Sequence, residues 1–274
     1  MKEHNYEFLA SALTRLGFPD TFLEPLREGM VKGEKEITMT GRISFDKEKN
    51  EVVEYKPEIK VSDKDPEMYF LNGFRATRTI DGEESRSHYF RAFTGKAFTA
   101  KNAREMLSPG ATPGMGRAVY NYEKTPQQEG FRYSQLNFKV TNPKSGNYRQ
   151  VNTPAEDFDL VKVLSKMPLG NLTELEKNQL LRDLRKGEVV FTTAKIDGVT
   201  TRVQLETLPT QGQVRLTTPD GQIKRLYGER TTAMEMMLVD KTPPVLDKAR
   251  ELITAGEQEK GKLDSKHKNT PARH

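Results

Sequence analysis

Lys32-Gly33-Glu34-Lys35-Glu36-Ile37-Thr38 and Lys186-Gly187-Glu188-Val189-Val190-Phe191-Thr192 read as the same junction: a helix that stops at a glycine, then a chain that continues as a strand. A glycine just past the last helical residue adopts the left-handed backbone that ends a helix. The β-branched and aromatic residues that follow favour a pleated surface. Toward the N-terminus, each junction is preceded by two helical patterns. Leu9, Leu13, Thr14, Arg15 and Leu16 are echoed by Leu160, Leu164, Ser165, Lys166 and Met167, and a proline follows each set, Pro19 and Pro168. The expected fold is α+β, with two related halves, each a helix pair followed by an antiparallel β-sheet, and a disordered basic C-terminal tail. Residues 1–153 would hold one helix pair and the larger sheet, which extends to about Val151. Residues 154–256 would hold the second helix pair, a smaller sheet and closing helices, and residues 257–274 the tail.

The strand regions follow from alternation. Ile37, Met39, Gly41 and Ile43 alternate with polar neighbours, and Val52-Val53, Ile59–Val61, Met68–Leu71 and Arg86–Phe93 continue the series. These strands arrive without crossover helices between them, which predicts a meander rather than a parallel sheet. Thr99 is placed to cap a short helix through Ala103, Met106 and Leu107. Further strands are expected at 117–122, 131–140 and 148–151, then near 188–196, 199–207, 212–218 and 222–227. Asp197-Gly198 and Asp220-Gly221 mark turns. Helices near 231–238 and 244–255 are expected to close the fold.

Composition bounds the chemistry. Among 274 residues, 34% are apolar and 30% charged, with a net charge of +5. That balance permits a polyanionic partner without requiring one. The absence of cysteine removes disulfides, thiol catalysis and every cysteine-containing zinc site. The N-terminal Met1–Tyr6 is polar, and no apolar run approaches the roughly 20 residues that cross a bilayer. A cytoplasmic protein without membrane contact is expected.

No catalytic, cofactor or metal motif is found. Of His4, His88, His267 and His274, only His88 falls inside an expected strand, and a single histidine makes neither a triad nor a metal site. Asp63, Asp65 and Glu67 alternate as in a calcium loop but lack its glycine and distant glutamate, so a solvated turn is the expectation. A hydrolase or nuclease would need such acids to converge. Gly110–Gly116 is glycine-rich but lacks the Gly-Lys-Ser/Thr of a phosphate loop, and reads as a flexible connection. The most suggestive pattern interleaves basic and aromatic residues on strands: Phe74-Arg75-Ala76-Thr77-Arg78, Arg86-Ser87-His88-Tyr89-Phe90-Arg91 and Phe131-Arg132-Tyr133-Ser134-Gln135. Alternate strand residues share a face, so Tyr89 joins Arg91, and Phe131 joins Tyr133. Aromatics for bases and arginines for phosphates make a single-strand binding face. Arg75, Arg78, Arg91, Arg117, Arg132 and Tyr133 are the candidate nucleic-acid contacts.

Leu16-Gly17-Phe18, Met68-Tyr69-Phe70-Leu71-Asn72 with Phe74, the short helix Ala103–Leu107, and Gly116-Arg117-Ala118-Val119-Tyr120 stand in a recognisable order. Tyr133 with Leu136-Asn137-Phe138, Phe158-Asp159-Leu160, and the helix ending at Lys186-Gly187 continue it. Over roughly residues 10–227 this order resembles a family of uncharacterised Bacteroidetes proteins common on conjugative and integrative mobile elements. The resemblance implies a role near DNA-processing enzymes and supplies no catalytic residues. The chain departs from the family by inserting Ser108–Met115 and by lacking zinc-finger cysteines. The functional expectation is a non-enzymatic mobile-element accessory, acting at DNA or RNA directly or through a protein partner in DNA processing or transfer. The alternative is a protein–protein adaptor or inhibitor, such as a transfer scaffold or anti-defence protein, that binds no nucleic acid.

Overall fold

A computed structural model describes residues 2–92, 98–124 and 129–228. The helices expected near 231–238 and 244–255, and the tail, lie outside the described residues. Among the described residues the protein is α+β, with five α-helices and three antiparallel sheets.

Helix α1 (Glu3–Arg15) and helix α2 (Leu23–Lys32) form the first pair. Gly17, at φ 82°, ends the first helix: its N–H donates to Thr14 O, and the Phe18 N–H donates to Leu13 O. Gly33 at φ 70° and Gly187 at φ 85° end their helices by the same pair of bonds. The two Lys-Gly-Glu junctions therefore use the same glycine cap as Gly17, one device used three times among the described residues. A short 3-10 turn (Asp20–Phe22) leads straight into α2.

The first sheet holds β1 (Glu36–Thr38), β2 (Gly41–Asp46), β3 (Glu51–Val61), β4 (Tyr69–Thr79) and β5 (Arg86–Arg91). β1 and β2 lie end to end along one edge of β3, and β4 and β5 follow in order. Its inner face carries Val53, Tyr55, Ile59, Phe74 and Phe90, all buried against Leu9, Leu13, Phe18, Phe22, Leu26 and Met30 of the helix pair. Phe18 is central to this core. Its ring meets Phe22, Tyr55 and Phe74 edge-on at 5.5, 5.6 and 5.1 Å, the arrangement that ring quadrupoles favour. Asn5, buried on α1, pairs with the Tyr69 backbone through both its amide groups, at 3.1 and 2.8 Å, and so fixes α1 to the start of β4.

Helix α3 (Ala100–Leu107) begins at Thr99 as expected, with Asn102 completing a reciprocal capping box. Beyond it the expectation of one large first sheet running to Val151 fails. β6 (Val119–Lys124), β7 (Glu129–Thr141) and β8 (Tyr148–Pro154) form a separate three-stranded sheet. α3 and the loop 108–116 intervene in the chain, and an outward N–H of edge strand β5, at Tyr89, is taken by the Asn147 side chain at 3.0 Å rather than by another strand.

Helix α4 (Leu160–Ser165) and helix α5 (Glu174–Arg185) precede the third sheet. That sheet is a meander of β9 (Val190–Ile196), β10 (Val199–Leu208), β11 (Gln213–Thr217) and β12 (Lys224–Gly228). Asp197 and Gly198, both at positive φ, make the β9–β10 hairpin turn that such a pair predicts.

Candidate nucleic-acid interface

The six candidate contact residues occupy three different environments. Arg75 and Arg78 are both on β4 but on opposite faces. Arg78 has the parity of Phe74 and Ala76 and lies at the margin of the core, 7% exposed. Its Nε donates to Glu51 at 2.9 Å, and Arg104 on α3 grips the same carboxylate at 2.9 and 2.6 Å. Arg104 also reaches Glu105 at 2.7 Å, and Glu105 accepts from Arg117 at 2.5 Å. Glu83 at 3.4 Å closes the other end. The result is one alternating chain, Glu83–Arg78–Glu51–Arg104–Glu105–Arg117, which binds β3, β4 and α3 to the segment before β6. Burial raises the Glu51 carboxyl, but the bonds from Arg104 and Arg78 outweigh it and hold the group below its ordinary value. Glu51 and Glu105 are almost fully buried, a position in which each charge depends on its partners. Arg78 and Arg117 are thus engaged inside the protein by carboxylates.

Arg132 and Tyr133 lie on β7 and are 8% and 2% exposed. Tyr133 belongs to a ring ladder: Phe158 at 5.1 Å, Tyr120 at 4.9 Å, then Tyr120 stacked on Phe131 at 5.1 Å, with Tyr122 beyond at 5.2 Å. The Arg185 guanidinium at the end of α5 covers the Tyr120 ring at 4.9 Å. Phe131 and Tyr122 form the exposed end of this ladder.

Arg75 and Arg91 stand together on the outer face of the first sheet. Arg75 lies directly across from Tyr89 and Arg91 across from Gly73. The same face carries Arg42 on β2, Lys56 and Lys60 on β3, and Phe70 on β4, with three acids among them, Glu36 on β1 (3.7 Å from Lys60), Glu54 and Glu58. None of these side chains is buried, because α1, α2 and α3 all pack on the other side. Glu54 pairs with Arg42 at 2.8 Å and with Lys56 at 2.7 Å, and Glu58 with Lys60 at 2.8 Å. Arg75 donates to the Ser87 hydroxyl at 3.4 Å. Cations exceed acids on this face. Tyr89, also here, lies across Gly73, and burial, together with the neighbouring Glu58 carboxylate, raises its phenol pKa. Tyr89 was not among the expected contacts, yet its signal was present: an isolated glycine within a strand marks a close approach, and Gly73 interrupts Tyr69–Thr79.

The other sequence candidates resolve as structure. His88 faces inward, packed against Phe90 at 4.8 Å and stacked with Tyr148 of β8 at 6.4 Å. Burial, helped by the charge of Arg75, lowers its pKa to about 4, so the ring is neutral near pH 7. Asp65 pairs with Lys2 and accepts the Glu67 N–H at 3.0 Å in a turn. Among the described residues, no group of three histidines or carboxylates is placed to hold a metal ion. The glycine-rich loop is not loose: Gly110 N donates to Met115 O, and Gly116 N to Leu136 O, both at 2.8 Å. Ala111 N donates to buried Glu206 of β10 at 2.6 Å. A cleft of about 480 Å³ opens between α4 and α5, lined by Leu164, Met167, Leu169, Leu172 and Leu181. No described helix is long and apolar enough to cross a membrane.

Set against known proteins, the chain matches no family model, no curated protein and no solved structure.

Proposed function

We propose that this protein is a non-enzymatic accessory of a bacterial mobile element, cytoplasmic, and that it binds nucleic acid on the outer face of its first sheet. The observation that carries the reading is the open, net-cationic face bearing Arg42, Lys56, Lys60, Arg75 and Arg91. Such a face suits a phosphate backbone. The mobile-element setting rests on the sequence resemblance alone. The two helix-pair-and-sheet units, within 1–153 and 154–256, are read as related halves on the strength of their shared Lys-Gly-Glu helix stop.

The test is fluorescence anisotropy with labelled single-stranded DNA, duplex DNA and RNA, at low and near-physiological salt. Binding that persists at the higher salt, and that weakens with a shallower salt slope in Arg75→Ala/Arg91→Ala, is expected. Unchanged affinity and slope in that double variant would sink the site. A second reading, a protein–protein adaptor or inhibitor, is favoured by the apolar cleft between α4 and α5. It predicts no nucleic-acid binding at either salt.

A further inference from the structure

We propose that Tyr89 is a base-stacking platform, so that the outer face of the first sheet takes single-stranded rather than duplex nucleic acid. This deepens the nucleic-acid reading above and rests on it. The geometry begins at Gly73. A Cβ there would fall 2.7 Å from both Cζ and Oη of Tyr89. The missing side chain is what lets the phenol cross from β5 onto β4. The far end of the ring comes beside Glu58 on β3, which Lys60 Nζ holds at 2.8 Å. The ring is therefore laid across β4 toward β3 before any ligand arrives, which spares the ordering cost of binding.

The surroundings specify the ligand. Arg75 sits across from Tyr89 and Arg91 two residues along the same strand, so cationic groups bracket the ring on the same face. An aromatic ring between guanidinium groups matches a base with its flanking phosphates. In a duplex the base faces are hidden by their neighbours in the stack, so a ring fixed against a sheet meets only an unpaired base. Phe70, 52% exposed on this face and directly across from Lys60, offers a second ring to the same strand.

The experiment measures anisotropy at near-physiological salt on three probes: a labelled single-stranded oligodeoxynucleotide, the same strand carrying abasic sites, and its duplex. The wild-type protein is expected to bind the intact strand about tenfold more tightly than either of the others. Tyr89→Leu should lose about tenfold on the intact strand and nothing on the abasic one, with the salt slope unchanged. Tyr89→Phe should keep most of the affinity. Equal binding of intact and abasic strands by the wild-type protein overturns the platform, whatever the variants do to folding. If Arg75→Ala and Arg91→Ala weaken binding while Tyr89→Leu does not, the face binds nucleic acid and Tyr89 plays no part. If the wild type binds none of the probes at any salt, the nucleic-acid reading and the platform fall together.

Discussion

The first and last helix pairs each lie on an antiparallel meander whose inner face is buried, and each ends at the same glycine cap, but the second pair leaves a cleft between its helices. Between α1 and α2 the connection supplies Phe18 and Phe22, which are buried among Tyr55 and Phe74. Between α4 and α5 it supplies Met167, Leu169 and Leu172, and a cleft of about 480 Å³ remains. Cap, proline and strand pattern set the path of the chain in both places. The volume of two or three side chains in the connection decides whether the space between the two helices is filled or left as a groove.

The difference between the two pairs is tested most directly at Phe18. Phe18→Ala removes a ring that contacts three others, and is expected to cost about 4 kcal/mol in urea or thermal unfolding. Leu172→Ala, at the edge of the cleft and only partly buried, should cost less than about 1.5 kcal/mol. Equal losses would show that the second pair is packed as tightly as the first. A second difference is acid sensitivity. His88 lies in the first sheet, and no histidine occurs between residues 154 and 228. Its pKa of about 4 in the fold lies below the ordinary 6.5, so the unfolded chain takes up the proton first. Stability is full above pH 6.5 and falls as the pH drops toward 4, by at most about 3 kcal/mol. His88→Phe should flatten that part of the stability–pH curve; an unchanged slope would place its origin elsewhere. The smallest expected effect is a gain in stability at the cleft. Leu172→Phe should fill part of the cleft and add about 1 kcal/mol, read as a raised unfolding midpoint with an unchanged denaturant slope. A lowered midpoint would mean that the cleft wall cannot accept the ring.

Much of the backbone was legible in the residues themselves. The Thr99 cap, the Asp197-Gly198 turn and the order of the strands depend on neighbours a few positions apart, and local chemistry specifies them. The candidate site was legible only in part, and the reason is physical. Alternation states which residues share a face but not which face will be covered. Arg75 and Arg78 look equivalent in Phe74–Arg78, yet one lies on the open side and the other at the edge of the core. The fate of Arg78 turns on Glu51, 27 positions earlier, and on Arg104, which shares that carboxylate. Tyr133 likewise reads as a surface aromatic until Phe158, from beyond β8, packs over it. Where the first sheet stops at β5, the Tyr89 N–H is taken by the Asn147 side chain, a contact 58 positions away that no periodicity reveals.

That asparagine has a consequence for how molecules of this protein meet one another. An unpaired strand edge is a template on which another chain can add by backbone hydrogen bonding, the usual route to swapped dimers and fibrils. With Asn147 seated on the Tyr89 N–H, an incoming strand must first displace an intramolecular partner before it gains its own bond there. The β7–β8 connection thus serves as a plug against self-association along β5, and the sheet stays discrete at that edge without a covering helix.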